Sequence, residues 1–535
     1  MSQSEPMRPE SNKAESKVHK SLTEFGVSTA KSGAVYVTAE IVSSIISLVI
    51  IIIATRLLGT GGFGLLSIAI AFSTVLGMAG NFGLGTALRR RLPQVRDADA
   101  RKKYISSAYA VSCSIAAVLA IATFALSGYV ANSIYNDPSL SLPLQIASIL
   151  VFVNVFFNST LAALVGVGEF GYSGMINIAY AVFQLALVST LIYLGYGPAG
   201  AVLGLCTGLI IASVVGFILL AKSISFPLSL PSMAYIKELT GFSIPILVSN
   251  LSVVGVTNIA IVILALFAST TVVGNYSAAF RLGGIFSLLL TSSTFILLPT
   301  YTSALSRKDH AQHIGKIYNH TVYYSVLLLA PILAYTVANS TQLIYLLFSS
   351  QYSSAPFYLA VISAGTMLGI IGSYAGTLLI SYGRAKKFMY YQLLVVAVEF
   401  VSLVLLTPLL QADGVLISLF VIAPIILDVV YTRALERQFS ISIELRRLAG
   451  ICLSTVIIAL LMLLIGQSLQ QGGKLILVFN LIVALLVYPP LLVLLRGVEQ
   501  RNVEFVRQVS KRFGILGSIF DHVLDYTEFF LAHSA

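Results

Sequence analysis

Charged residues are scarce in this chain: Asp, Glu, Lys and Arg together make up only 10% of its 535 residues. A soluble globular domain carries about 25% charged residues, so an ordinary soluble protein is excluded. Hydrophobic residues reach 57%, and the mean hydropathy is +0.92. The composition therefore predicts an all-α polytopic membrane protein whose surface faces mainly lipid.

Cysteine and histidine are also rare, which argues against several kinds of site. Cys113, Cys206 and Cys452 each lie alone inside an apolar segment, so neither a disulfide nor a thiolate metal site is expected. His310 and His313 are three residues apart but have no cysteine partner nearby. We therefore predict no metal site and no cofactor.

An early apolar run is missing as well: residues 1–32 are polar, with scattered Lys and Glu, and show no secretory signal. Beyond them, apolar runs of about 20 residues, the length that crosses a bilayer as a helix, recur along the chain. Fourteen such runs are predicted to span the membrane, at 34–56, 62–86, 104–128, 142–165, 174–195, 199–221, 241–267, 272–304, 321–347, 356–382, 388–409, 414–432, 449–466 and 475–495.

The net charge of +11 reflects topology rather than nucleic-acid binding. If both termini are cytoplasmic, nearly all of the 32 basic residues fall in the tails and the inner loops. Arg56 and Lys474 fall outside, and Arg281 lies within a span. This bias follows the positive-inside rule. It predicts a multi-pass protein of the cell membrane with cytoplasmic N- and C-termini, and no nucleic-acid partner.

Weak internal repeats suggest two halves that point the same way, as in transporters built from parallel repeats. Gly64 opens span two much as Gly274 opens span eight, and two further pairs of turns match at a similar offset. The prediction is two pseudo-symmetric six-helix lobes plus two C-terminal helices. The expected segments are a cytoplasmic N-terminal tail (1–32), an N-lobe (33–221), a cytoplasmic linker (222–239), a C-lobe (240–432), a loop with spans thirteen and fourteen (433–495) and a cytoplasmic amphipathic tail (496–535).

Span eight carries a positive charge, Arg281, about a third of the way along its length. A charge inside hydrocarbon costs at least roughly 2.5–3.5 kcal/mol, so such a residue normally faces a bundle interior or a wet cavity. Two interpretations stay open: Arg281 snorkels or pairs with a buried acid, or it lines a path for an anion. With a period of 3.6 residues, its helix face also holds Gly274, Ser277, Gly284, Leu288 and Ser292.

Two carboxylates and one polar helix add further candidates. Glu40 and Glu399 lie at membrane depth in spans one and eleven, where each is either protonated, paired or part of an ion or substrate path. Span seven contains Pro245, which frees a backbone carbonyl, and a run of polar residues that includes Asn250. A kinked, hydroxyl-rich helix beside the Arg281 helix is consistent with a cavity, although helix packing explains it equally well.

Four stretches carry a resemblance to a known family: Arg56–Gly59 with Phe63-Gly64, Asn81–Gly85, Val273–Leu282 and Gly383–Lys387. They resemble the multidrug/oligosaccharidyl-lipid/polysaccharide (MOP) flippase superfamily, and more narrowly its polysaccharide-biosynthesis branch of Wzx-like flippases. The resemblance covers residues 33–435, while the last two spans and the C-tail match in topology only.

The resemblance implies a transporter that flips lipid-linked oligosaccharide precursors from the cytoplasmic to the outer leaflet by alternating access. The implied partners are an isoprenoid (pyro)phosphate-linked glycan, the bilayer and the glycan assembly machinery. A guanidinium can bind a phosphate bidentately, so Arg281 would hold the anion. Asn250 and Ser292 would contact sugar hydroxyls, and Glu40 and Glu399 are the candidate coupling or cavity carboxylates.

Other functions compete with this one. The main rival is a cation-coupled multidrug or metabolite antiporter of the same superfamily, which would use Glu40 or Glu399. A lipid-II-type flippase is a third possibility within the class. A membrane glycosyltransferase or polymerase would need a catalytic acid/base constellation, and the longest predicted outer loop, 128–141, offers only Asp137. The chain is therefore not expected to be an enzyme, and a structural scaffold would leave its intramembrane charges unexplained.

Overall fold

Helices account for the regular structure of the residues described by the computed structural model, which are 10–224, 229–250, 255–305, 310–439, 441, 445–468, 475–510 and 515–534, and no strand occurs among them. This confirms the predicted all-α fold. The physical reason is that the hydrocarbon core offers no hydrogen-bond partners. A helix satisfies its backbone N–H and C=O groups within one segment.

The chain forms two compact units. The first contains Met1–Ile50 and Phe72–Asn250, and the second contains Ile51–Ala71 and Leu251–Ala535. Helix α1 (Glu10–Asn81) contributes to both. The limits predicted for the lobes stay predictions. The other helices of the first unit are α2 (Leu84–Arg91), α3 (Ala98–Tyr129), α4 (Ser141–Val167), α5 (Phe170–Leu191), α6 (Gly197–Ser223) and α7 (Met233–Asn250).

The second unit holds the remaining helices. They are α8 (Val256–Phe267), α9 (Thr270–Leu305), α10 (His310–Ala338), α11 (Ser340–Leu347), α12 (Ala355–Leu368), α13 (Ile370–Ser381), α14 (Ala385–Leu410), α15 (Ala412–Ile417), α16 (Ala423–Phe439), α17 (Leu445–Ser468), α18 (Leu475–Leu494), α19 (Gln500–Ser510) and α20 (Ile515–Ser534). Short 3-10 or π turns extend some helices of both units, at Leu92–Gln94, Val130–Ile134, Pro138–Leu140, Ile192–Tyr196 and Ser418–Ile422.

Among the described residues, nine helices are long and apolar enough to cross a membrane, or ten if the bent pair α12 and α13 is one span. Two of the nine exceed a single crossing: Thr38–Asn81 has 44 residues and Phe170–Ser223 has 54. At 1.5 Å per residue the shorter one extends about 66 Å, roughly twice the hydrocarbon core. Each is interrupted by a glycine with positive φ, Gly59 or Gly195, close to a predicted turn between spans. The number fourteen stays a prediction.

In the first unit, small residues allow helices to approach closely. Gly204 of α6 lies so near α5 that a Cβ there would meet the Val188 backbone at 2.7 Å. The buried Tyr109 of α3 hydrogen-bonds through its hydroxyl to the Thr160 hydroxyl of α4. These two hydroxyls, which lie between membrane helices, are thus paired with each other, as a low-dielectric interior favours.

Predicted span ten is not one straight helix: α12 and α13 meet at Gly369 and are bent by 41°. Glycines along both helices pack against α16 and the turn before it, since a Cβ at Gly365 would lie 2.3 Å from the Phe420 carbonyl oxygen. At the break, the Asp428 carboxylate accepts a hydrogen bond from the Gly372 N–H at 2.6 Å. Asp428 thus satisfies a backbone donor that the bend leaves free.

Near Gly59, the segment of α1 that belongs to the second unit is held through its backbone carbonyls. The hydroxyl of the buried Tyr352 donates to the carbonyl oxygens of Thr55 and Gly59, each at 3.0 Å. Arg56 donates from Nε to the carbonyl oxygen of Leu347 at the end of α11, at 2.9 Å. Backbone carbonyls at the Gly59 kink of α1 and at the end of α11 are therefore satisfied by side chains from elsewhere in the second unit, which stabilises groups that lack partners within their own helices.

Asn275 caps a helix from a distance, and its loss should destabilise the second unit. Its Oδ1 accepts hydrogen bonds from the N–H groups of Ser354 (3.2 Å) and Ala355 (3.1 Å) at the start of α12. Replacement by alanine leaves both donors without this acceptor, and we expect a loss of about 1–2 kcal/mol of stability. A lower melting temperature in detergent would show this. Asn132→Ala, at an exposed position, is the matched control, and equal melting of the two variants would contradict the prediction.

Candidate functional site

A polar cavity of about 210 Å³ opens in the first unit between the last turns of α1, the start of α2 and the middle of α4. Its wall consists of small and amide-bearing residues: Thr74, Gly77, Met78, Asn81, Gly83, Asn154 and Asn158. Polar groups are expensive within an apolar bundle, so a cluster of three asparagines around one cavity requires an explanation.

The break between α1 and α2 positions Asn81. Phe82 (φ 49°) and Gly83 (φ 72°) both take left-handed backbone conformations, which end α1 and redirect the chain into α2. Such a conformation is strained for phenylalanine and easy for glycine. The Asn81 Oδ1 accepts from the Gly85 N–H at 3.4 Å, which holds the amide at the cavity wall.

The two α4 asparagines are four residues apart and therefore lie on one helix face. Asn158 Nδ2 donates to both the backbone carbonyl oxygen and the Oδ1 of Asn154, each at 2.8 Å. Among the described residues, the Asn154 NH₂ group and the Asn158 Oδ1 have no further hydrogen-bond partner. The pair thus presents one amide donor group and one acceptor to whatever occupies the cavity.

Sequence reasoning did not select this cluster. Asn81 entered only as part of a family motif, and Asn154 and Asn158 were not singled out. The signal was present: two asparagines with helical spacing in one predicted span. What could not be predicted is that the break after Asn81 brings that residue to the same wall.

Glu40, the first predicted carboxylate, lies exposed on α1 and has one described side-chain partner. Its Oε1 accepts a hydrogen bond from Asn177 Nδ2 of α5 at 3.0 Å. An amide carries no charge, so this contact places no cation beside the carboxylate. Such an arrangement can take part in cation or proton binding.

Arg281, the predicted cation, lies half-buried on α9. One turn before it, the buried Ser277 hydroxyl has no hydrogen-bond partner among the described residues, and one turn after it, the space around Gly284 is open. No described carboxylate of the second unit forms a salt bridge with Arg281. Glu399 lies half-buried on α14. Pairing with a buried acid, one of the interpretations of Arg281 that the sequence left open, is therefore not observed in the described part of this unit.

The remaining predicted substrate contacts are placed only by their helices. Asn250 is the last residue of α7 and Ser292 lies within α9, and the side chains of both fall outside the described residues. In the parts of the chain that are described, no group of three or more His, Cys, Asp or Glu residues could hold a metal ion.

Two of the motif stretches meet within the second unit. Gly64 of α1 and Gly274 of α9 face each other closely. A Cβ built on either glycine would lie 3.2 Å from the backbone nitrogen of the other. A Cβ built on Gly64 would lie 1.9 Å from the Thr270 carbonyl oxygen, and one built on Gly274 would lie 1.9 Å from the Thr60 carbonyl oxygen. The contact is reciprocal, as expected for equivalent positions of a repeated unit.

Comparison with known proteins agrees with this architecture. A family model described as "Polysaccharide biosynthesis protein" matches residues 29–305. The fold is similar to that of the lipid II flippase MurJ in an inward closed conformation, with a TM-score of 0.70 and 14% identity over 85% of this chain and 97% of that one. No curated protein sequence gives a significant match.

Two transporters of the MOP superfamily have similar folds. An inward-facing multidrug resistance MATE family transporter gives a TM-score of 0.62 at 16% identity, over 74% of this chain and 94% of that one. A MOP superfamily transporter from Pyrococcus furiosus gives 0.54 at 15% identity, over 77% and 95%. At such identities these structural matches show the fold alone.

Proposed function

The chain belongs to the polysaccharide biosynthesis protein family of the MOP superfamily, and from this premise we propose that it flips lipid-linked oligosaccharide or polysaccharide precursors across the cell membrane. The proposed direction is from the cytoplasmic to the outer leaflet, with both termini cytoplasmic as the basic loops predict. The proposed cargo is an isoprenoid (pyro)phosphate that carries a glycan, delivered by the glycan assembly machinery.

The observation that carries this proposal is the asparagine-lined cavity of the first unit. Amide groups donate and accept hydrogen bonds without adding charge, which suits the many hydroxyls of a sugar. The Asn154–Asn158 pair and Asn81 supply such groups at one wall. A glycan headgroup could exchange water for these groups while its lipid tail remains in the bilayer.

The charged end of the cargo needs a separate contact. We assign it to Arg281, whose guanidinium can make bidentate, charge-assisted hydrogen bonds to phosphate oxygens. Asn250 and Ser292 are proposed as further contacts to the headgroup. Alternating exposure of these groups to the two sides, as the MOP resemblance implies, would carry the headgroup past the hydrocarbon core.

The test is transport in proteoliposomes, with a fluorescent lipid-linked oligosaccharide compared with a cationic dye. In the double variant Asn154→Leu/Asn158→Leu, the loss of two or more hydrogen bonds to sugar should slow flipping of the oligosaccharide about tenfold. Asn132→Leu, outside the cavity, should flip at the wild-type rate. Undiminished flipping by a well-folded double variant would refute the role of the cavity.

One observation favours the alternative, a cation-coupled multidrug or metabolite antiporter: the exposed Glu40 carboxylate with its single amide partner, Asn177. In that case the dye rather than the oligosaccharide is transported. Glu40→Gln or Glu399→Gln would abolish dye exchange, whereas the double asparagine variant would leave it unchanged.

A further inference from the structure

A second cavity, of about 240 Å³, lies in the second unit. Three candidate spans each have one terminus near it. The spans Ile314–Ala338 of α10 and Leu448–Gly466 of α17 begin here, and Leu475–Leu494 of α18 ends just before it. The lining comes from the start of α10, from Leu448 of α17, and from Glu499, Arg501 and Asn502, which follow α18, so the cavity lies at the depth of lipid headgroups.

Fixed contacts give this cavity its shape. The Tyr323 hydroxyl donates to the Gly497 carbonyl oxygen at 2.8 Å, and the Tyr324 ring stacks on that of Phe505 with centroids 4.5 Å apart. Gly450 lies against the same turn, because a Cβ there would meet the Leu495 carbonyl oxygen at 2.6 Å. The turn between α18 and α19 is thus held by both α10 and α17, and the cavity is preorganised.

The charges around the cavity favour an anion. Lys316 and Arg501 are exposed at its wall, and among the described residues neither forms a salt bridge. The Nδ1 of His320 lies 2.7 Å from the Lys316 carbonyl oxygen, which can only accept, so Nδ1 carries the hydrogen and donates it within α10. Glu499 is the one acidic residue of the wall, so two permanent cations face one carboxylate.

From this arrangement we infer a binding site for the phosphate group of an anionic membrane phospholipid. Lys and Arg are the side chains that bind phosphate in proteins, and basic pockets between membrane helices on the cytoplasmic side hold anionic headgroups. Tyrosines, here Tyr323 and Tyr324, are typical of this depth. The site lies outside the asparagine-lined cavity and does not depend on the identity of the transported cargo.

Neighbouring apolar residues favour a lipid over a soluble phosphate ion. On α17, about one and two turns beyond Leu448 in the direction of the bilayer, Leu453 is 50% exposed and Val456 is 53% exposed. An acyl chain attached to a phosphate in the cavity could lie along this surface, because the exposed side chains of α17 there are apolar. A free phosphate ion would make no use of it.

The experiment measures lipid binding to the full-length chain in non-ionic detergent by native mass spectrometry. Phosphatidylglycerol is compared with phosphatidylcholine, and inorganic phosphate is titrated separately. Wild type should bind phosphatidylglycerol at least tenfold more tightly than phosphatidylcholine. The double variant Lys316→Gln/Arg501→Gln should lose this preference.

A matched control removes two charges elsewhere in the same unit. Lys386 and Arg437 are exposed and lie outside the cavity, and Lys386→Gln/Arg437→Gln should bind phosphatidylglycerol as wild type does. If both double variants lose binding equally, general surface charge explains it and the site is refuted. If inorganic phosphate binds as tightly as phosphatidylglycerol, the site takes a soluble anion and the lipid assignment is refuted. All variants are compared only after their melting temperatures show that they fold.

Discussion

Alanine at Gly64 or Gly274 is expected to destabilise the second unit more than any other single-methyl change considered for this protein. Either Cβ would lie 1.9 Å from a backbone carbonyl oxygen of the opposite helix, far inside van der Waals contact. A backbone carbonyl cannot rotate away as a side chain can, so α1 and α9 must separate. We expect a loss of about 3 kcal/mol, at the upper end of overpacking effects, seen as a lower melting temperature and a reduced yield of monodisperse protein.

Neighbouring glycines of the same helices provide controls. A Cβ at Gly61 of α1 would meet its nearest atom at an ordinary 3.8 Å, and one at Gly284 of α9 would meet nothing within 4 Å. Gly61→Ala and Gly284→Ala should therefore melt close to wild type. If Gly64→Ala melts at the same temperature as Gly61→Ala, the close crossing of α1 and α9 is not required for stability.

Arg281→Ala is expected to cause the largest loss of transport, about a hundredfold in the initial rate of lipid-linked oligosaccharide flipping. Two charge-assisted hydrogen bonds to a phosphate are worth about 1.5–3 kcal/mol each. Without them, the phosphate of the cargo would cross the hydrocarbon core with fewer hydrogen-bond partners. Arg281→Lys should restore part of the rate, because lysine keeps the charge but loses the bidentate geometry. The measurement is the proteoliposome assay with labelled oligosaccharide.

Arg433→Ala is the control for loss of charge, because Arg433 is exposed on α16. It should flip the oligosaccharide at close to the wild-type rate. If well-folded Arg281→Ala also does so, Arg281 does not lie on the path of the anion. Dye exchange that survives in Arg281→Ala but fails in Glu40→Gln would then support the antiporter.

Individual elements show how far sequence reasoning could reach. The resemblance built on diffuse motifs such as Asn81–Gly85 and Val273–Leu282 is confirmed by the family match over residues 29–305. The equivalence of Gly64 and Gly274, read from a weak repeat, corresponds to a reciprocal contact in the fold. By contrast, the sequence left open whether Arg281 pairs with a buried acid, because pairing depends on where two distant helices place their side chains.

The sequence by itself determined the all-α membrane class, because hydropathy and charge are properties of composition and local order. It also identified Arg281, Glu40 and Glu399 as unusual, since a charge in an apolar run is visible without a structure. Only the tertiary structure decided that Asn81 joins Asn154 and Asn158 at one cavity, that Asp428 satisfies a backbone donor at the α12–α13 break, and that Lys316 and Arg501 share a wall. Each of these contacts joins residues far apart in the chain, and their meeting depends on helix breaks and packing that no local pattern encodes.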